Sequence, residues 1–342
     1  MDDLPILMSS MRSFFCSVPE WPGTEPVIGN AFGRVPNRFD EFEVILRPDV
    51  LEPEWWAGAP SLVRDDHGIF WMACRMRTAE GLRGLRGYEI RILRSEDGVQ
   101  FERVHSIMRE DVPIPGFERP AMVVDPTTRK FKLYACGPWQ EGPWSIIKFD
   151  DADSPDRFIA SSARPVVEAP VRYYERDMPP AGFKDPVIVF AEGAYHMYVI
   201  GVVRNTERVF HFVSADGEAW EPVGNPYTPI MPLNGWHDFY VRPASILPVG
   251  IGYLFIYEGS ATSWYDPVYN IVMGLGFSFD LHTITDLTPQ SPLVKSTTPN
   301  AHFHTWRYSH WMWVDDEIWV YAEAAAEDET NEIRLFRVKR AP

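Results

Sequence analysis

Phe183-Lys184-Asp185-Pro186-Val187-Ile188-Val189, a turn at Glu192-Gly193, then Tyr195-His196-Met197-Tyr198: this stretch reads as a short apolar strand, a tight turn and a second, alternating strand. The same order recurs along the chain. Gly58-Ala59-Pro60-Ser61-Leu62-Val63 leads through Asp65-Asp66-His67-Gly68 into Ile69-Phe70-Trp71-Met72-Ala73. Phe117-Glu118-Arg119-Pro120-Ala121-Met122-Val123-Val124 leads through Asp125-Pro126-Thr127-Thr128 into Phe131-Lys132-Leu133-Tyr134. Tyr240-Val241-Arg242-Pro243-Ala244-Ser245-Ile246 turns near Gly250 into Tyr253-Leu254-Phe255-Ile256-Tyr257. A degenerate copy runs from Tyr308 to Val314, turns at Asp315-Asp316 and continues as Ile318-Trp319-Val320-Tyr321.

A third strand follows in most copies, such as Tyr88–Leu93 and Arg208–Val213. It ends in Ser95-Glu96-Asp97-Gly98-Val99-Gln100-Phe101 or Ser214-Ala215-Asp216-Gly217-Glu218-Ala219-Trp220, where Asp-Gly makes a turn and the aromatic folds back on an outer strand. Four antiparallel strands repeating about every 60 residues describe a propeller blade. A sandwich would not repeat with one internal order, a solenoid needs a shorter period, and no segment keeps a helical period. The prediction is an all-β fold: one five-bladed β-propeller over 1–342, with four-stranded antiparallel blades around a central pocket. Blades begin near 55, 115, 181, 238 and 306, and residues 1–38 form an irregular cap. Phe42–Leu46 is strand-like and is expected to close the ring as the outer strand of the last blade.

Composition agrees with a large globular core: 45% apolar and 23% charged residues in 342. A net charge of −16 argues against a nucleic-acid-binding surface. The N-terminus has no basic segment followed by an apolar run, and no transmembrane stretch is present, so no membrane partner and a cytoplasmic location are expected. Cys16, Cys74 and Cys136 form neither a CxxC pair nor a metal spacing, so reduced thiols are expected. No cofactor is expected, and no spacing supports a central metal.

In a propeller the first strand of each blade lines the channel. The residue before the shared proline is Ala59, Arg119, Asp185 and Arg242, and Ser309 aligns in the last copy. Charges facing a narrow channel are costly unless paired or used. Asp185 between two arginines should be ionised, which suits a base, a nucleophile or an oxocarbenium stabiliser. The second carboxyl group is sought first at Glu118 and Asp238, next at Glu258 and last at Glu323, each with an alternative as an arginine partner. Arg119, Arg242, His237 and Tyr240 are candidate substrate contacts, with Trp56 and Trp236 as sugar-stacking rings and His310 as a hydroxyl partner.

Arg94–Phe101 resembles the end of the first blade in glycoside hydrolase family 130, the mannoside phosphorylases and mannosidases. Gly182–Ile188 resembles the Asp-Pro strand of that family and of families 43 and 32, and Gly235–Gly259 with Gly274–Val294 resembles its fourth blade. The likeness extends over about residues 40 to 338. In family 130 the Asp-Pro lies on the second blade, where this chain has Arg119-Pro120; in family 43 an Asp starts the first blade, where Ala59 stands. Asp185 is the catalytic candidate that carries over.

The resemblance implies a glycoside hydrolase or phosphorylase that cleaves a small glycoside, with the arginines holding inorganic phosphate, a uronate or a hydroxylated group. The alternative is a catalytically inactive propeller that binds carbohydrate or a partner. The Ser-x-Asp-Gly turns are similar to sialidase Asp boxes, but their glycine and aromatic spacing differs.

Overall fold

The computed structural model describes residues 39, 41–82, 85–169, 180–224, 228–299, 301–315 and 317–339. The expected cap over 1–38 lies outside them, as does Cys16. The described chain is a series of antiparallel meanders. Strands β1 (Glu43–Leu46), β2 (Trp56–Arg64), β3 (Phe70–Leu82), β4 (Leu85–Ser95) and β5 (Glu102–Met108) come first. Next are β6 (Ala121–Val124), β7 (Phe131–Pro138), β8 (Trp144–Lys148) and β9 (Arg164–Val167). They precede β10 (Phe183–Ala191), β11 (Ala194–Val203), β12 (Thr206–Ser214) and β13 (Glu221–Pro222). Then come β14 (Tyr240–Pro248), β15 (Tyr253–Ser260), β16 (Val272–Ser278) and β17 (Thr285–Asp286), and finally β18 (Trp306–Val314), β19 (Glu317–Ala325) and β20 (Asn331–Lys339).

Hydrogen bonds join β6 to β9 into one sheet. A second sheet has the order β10-β11-β12-β14-β15-β16-β17, with β13 on β12; a third has β18-β19-β20-β2-β3-β4-β5. The N-terminal strand β1 pairs antiparallel with β20, Glu43 opposite Leu335, so the first described strand completes the last meander. Successive meanders touch through single parallel pairings, Glu207 with Tyr240 and Asn331 with Trp56. The second of these ties the end of the chain to its beginning.

The Ser-x-Asp turns form as their side chains dictate. Asp97 Oδ1 accepts from the Val99 and Gln100 amides, and Ser95 Oγ accepts from the Gly98 amide at 2.9 Å. Asp216 and Ser214 repeat this, and Asp280 accepts from the His282 and Thr283 amides. A tyrosine of the neighbouring meander then donates to each turn: Tyr134 to the Gly217 carbonyl, Tyr198 to that of Leu281 and Tyr321 to that of Gly98. The last bond uses one device to join the final meander to the first. Each hydroxyl is buried, so the bond also meets a need that burial creates.

Apolar side chains fill the spaces between adjacent sheets. Met122, Leu133 and Ile147 pack with Ile90 and Ile92, and Leu254, Ile256 and Leu275 pack with Trp306, Trp311 and Val320. Phe39 seals the second cluster edge-on to Trp306 at 5.3 Å. Among the described residues no helix is long and apolar enough to cross a membrane.

Candidate functional site

The inner strands are broken at equivalent places. The ladder of β2 shifts between Gly58 and Ser61, that of β10 between Lys184 and Val187, and that of β18 between Arg307 and His310. Each bulge holds a non-glycine residue in the left-handed region: Ala59 (φ 51°), Asp185 (φ 55°) and Tyr308 (φ 52°). That conformation costs about 1–2 kcal/mol for a residue with a Cβ. Its recurrence at the inner ends of strands marks them as places where side-chain aim outweighs backbone comfort. In β14 the shift comes later, between Pro243 and Ser245. Arg242 therefore pairs with Glu258 as Arg307 pairs with Glu323, and the prolines do not align one-to-one. The bulge residue of the last inner strand is Tyr308, not Ser309.

Asp185 is 1% exposed. Its Oδ1 accepts from the Arg119 amide at 3.1 Å, and its Oδ2 accepts from the Tyr308 hydroxyl at 3.1 Å. The Cys136 thiol lies against it, with Sγ 3.6 Å from Oδ1. Burial pushes the Asp185 carboxyl up, but the charges of Lys184 and Arg242, the Arg119 amide and Arg75 together hold it below the ordinary carboxylate range. Lys184 and Arg242 are themselves fixed on buried Glu207, Lys184 Nζ at 2.5 Å and Arg242 through Nε.

Glu258 stands at the end of β15 and is 0% exposed. Its Oε1 accepts from the Tyr308 amide, and its Oε2 has no hydrogen-bonding partner among the described residues. Burial raises its carboxyl to about 7, against the opposing charges of Arg119, Arg242 and Arg307. Glu323 takes the corresponding place on β19 and behaves in the opposite way. It accepts from Arg307 Nε and Nη2, Asn331 Nδ2, the Ala59 amide and Arg75 Nη2. Burial raises its carboxyl, but Arg307 and Arg75 hold it below the ordinary range.

Other sequence candidates fall around this centre. Glu118 pairs with Arg75, which also reaches Glu323 at 3.2 Å. Arg119 donates to the Pro243 carbonyl at 3.1 Å and to those of Ala244 and Ser309. Its guanidinium crosses between inner strands. His310 lines a cavity of about 270 Å³ with Arg119, Val187 and Ile246. Burial and the Arg119 charge push its imidazole down to about 3. Tyr240 lies under the Arg242 guanidinium at 4.7 Å. Trp56 is buried, with the Arg77 and Arg307 guanidiniums over its ring at 3.7 and 4.8 Å.

Three candidates are placed apart from Asp185. Asp238 is exposed and caps Thr262, accepting from its amide and hydroxyl. His237 Nε2 contacts Asp286 at 3.0 Å, and Trp236 donates to the Thr288 carbonyl and stacks on Tyr257. Tyr257 precedes Glu258 on β15 and so points to the opposite face of the sheet.

Tyr308, Lys184, Glu207, Arg75 and Arg307 were not among the sequence candidates. One signal was available for Arg75: a guanidinium directly follows the apolar run Trp71-Met72-Ala73-Cys74. Among the described residues no cluster of His, Cys, Asp or Glu is built to hold a metal. Cys74 and Cys136 are free, buried thiols, and burial raises Cys74 to about 12.

No protein-family model matches the chain. No curated protein matches it in sequence. Solved structures do match over most of its length. A structure of BT0996 in an RGII complex covers 86% of this chain and 90% of its own, at 13% identity and a TM-score of 0.65. A GH130 structure, from a family of mannoside phosphorylases containing hydrolases that target β-1,2 mannosidic linkages in Candida mannan, covers 86% and 93%, at 16% identity and a TM-score of 0.62. The β-xylosidase RS223 covers 88% and 96%, at 10% identity and a TM-score of 0.60. The chain shares the propeller fold of these proteins. At such low identity the likeness concerns the fold.

Proposed function

We propose that this chain is a five-bladed propeller glycosidase, a single domain in which Glu258 is the general acid and Asp185 the carboxylate that meets positive charge at the anomeric carbon. The observation that carries this reading is the split between the two groups. One carboxyl is held ionised and the other is raised to about 7, so that it retains part of its proton at neutral pH, and Tyr308 touches both. Opposed environments of this kind assign acid and anion roles in glycoside cleavage. The Glu258 proton passes to the glycosidic oxygen, the leaving group departs with the bonding electron pair, and the resulting charge faces Asp185. Water then bonds to the anomeric carbon and releases a proton, and Glu258 regains one from solvent; inorganic phosphate in place of water would give phosphorolysis.

The test is a panel of aryl glycosides and small oligosaccharides, assayed with and without phosphate. On the best substrate Glu258→Gln and Asp185→Asn should each lower kcat by at least about a hundredfold, the lower end of general-acid contributions. Full activity in either variant removes that residue from the mechanism.

The burial of both carboxyls favours a second reading, in which the ion-pair network seals the axis and the propeller binds carbohydrate or a partner without turnover. Sugar binding by the wild-type protein with no cleavage of any bound glycoside would select it.

A further inference from the structure

A cavity of about 470 Å³ lies among the segments that follow β15 and precede β18, lined by Trp264, Tyr265, Asn270, Lys295, His302 and His304. This volume falls within the roughly 300–1,000 Å³ of small-molecule sites. The loop carrying Trp264 and Tyr265 leaves β15 directly after Ser260, so it opens at the end of the strand where Glu258 stands. The segment with His302 and His304 leads into Trp306 and Arg307, at the same end of β18.

Both walls are fixed by one buried side chain. Asn270 Nδ2 donates to the Tyr265 carbonyl at 2.5 Å and to that of Asp266 at 3.1 Å, and Asn270 Oδ1 accepts from the His304 amide at 2.8 Å. The Trp264 ring is parallel to Trp236 at 6.3 Å, and Trp236 stacks on Tyr257 at 5.7 Å, so the indole is held in place from behind. Tyr265 leaves a large ring in solvent, 77% exposed. Among the described residues no acidic side chain lines the cavity, and Lys295 has no ion pair. In a chain of net charge −16 this local excess of donors runs against the average.

We infer that this cavity is a subsite for a sugar unit bearing an anion, a uronate carboxylate or a sulfate ester, within the glycan that the central pair cleaves. The assignment of that glycan rests on the glycosidase reading above. The aromatic rings supply flat apolar faces for the C–H side of a pyranose, and Lys295 with the two imidazoles supplies donors for the anion.

The test is calorimetric titration of the wild-type protein, Lys295→Ala and Tyr265→Ala with three probes of equal length: a galacturonate oligosaccharide, a sulfated galactose oligosaccharide and a neutral one. Lys295→Ala should weaken the anionic probe that binds by about tenfold and leave neutral binding unchanged, while Tyr265→Ala weakens both. Which anionic probe binds separates carboxylate from sulfate. Neutral binding as tight as anionic, anionic binding indifferent to Lys295→Ala, or no anionic binding at all overturns the subsite. Both side chains are exposed, so loss of fold is not expected; an unchanged thermal melt checks this. Probe affinity and turnover are separate readouts, so the subsite can stand while Glu258→Gln retains activity and the catalytic reading fails, and the reverse.

Discussion

If Glu258 is protonated because the fold buries it, replacing it by glutamine should change how stability depends on pH. The carboxyl rises from its ordinary 4.5 to about 7 on folding. A group raised in the folded state contributes stability that is fully present below its unfolded value and is lost as pH climbs through the folded value. With those two values the loss attributable to Glu258 between pH 5 and pH 8 is roughly 2–3 kcal/mol. Glutamine keeps the shape and an oxygen to accept from the Tyr308 amide, but cannot ionise. Urea unfolding of both proteins at pH 5, 6, 7 and 8 measures the effect as a difference between curves, which cancels the titration of other groups that behave alike in both. Glu258→Gln should gain on the wild type by roughly 2–3 kcal/mol across that range. A constant difference from pH 5 to pH 8 would refute the idea that burial keeps this carboxyl protonated, and with it the assignment of Glu258 as the acid.

Tyr308→Phe removes the hydroxyl that donates to Asp185 but leaves the Arg119 amide, Lys184 and Arg242 in place. A loss of roughly 1.5–3 kcal/mol in unfolding free energy is expected for a bond to a charged group, with a fall in kcat on the best glycoside. Glu323→Gln should cost about 3–5 kcal/mol in the same assay, because Arg75 and Arg307 lose a buried counter-charge. Gly58→Ala should be comparably damaging, read as a lower melting temperature, because the added Cβ would overlap the Glu323 carboxylate.

The all-β character and the repeat were legible because they are written in local pattern. Strand alternation and the Ser-x-Asp turns depend on residues within a few positions of one another. Asp185 stood out for a similar reason: a carboxylate beside a proline on an otherwise apolar inner strand. In the sequence Glu258 and Glu323 hold similar places at the ends of second strands, with Glu258 ranking above Glu323 and below Glu118 and Asp238. Tertiary structure separates them, surrounding Glu323 with Arg75, Arg307 and Asn331 while one oxygen of Glu258 has no hydrogen-bonding partner among the described residues.

Trp236 and His237 show the converse. Their position before an inner strand suggested the channel, yet they pack behind the sheet on Tyr257 and Asp286. Tyr308 was hidden by a shift of one residue in the alignment of the last copy, which a bulge resolves only once strands are paired. Periodicity and turn chemistry are near-neighbour properties, so the chain alone determines that this protein is built of repeated antiparallel strands with charges on the inner ones. Which carboxyl is ionised depends on burial and on charges tens to hundreds of positions away, so only the folded ring decides it.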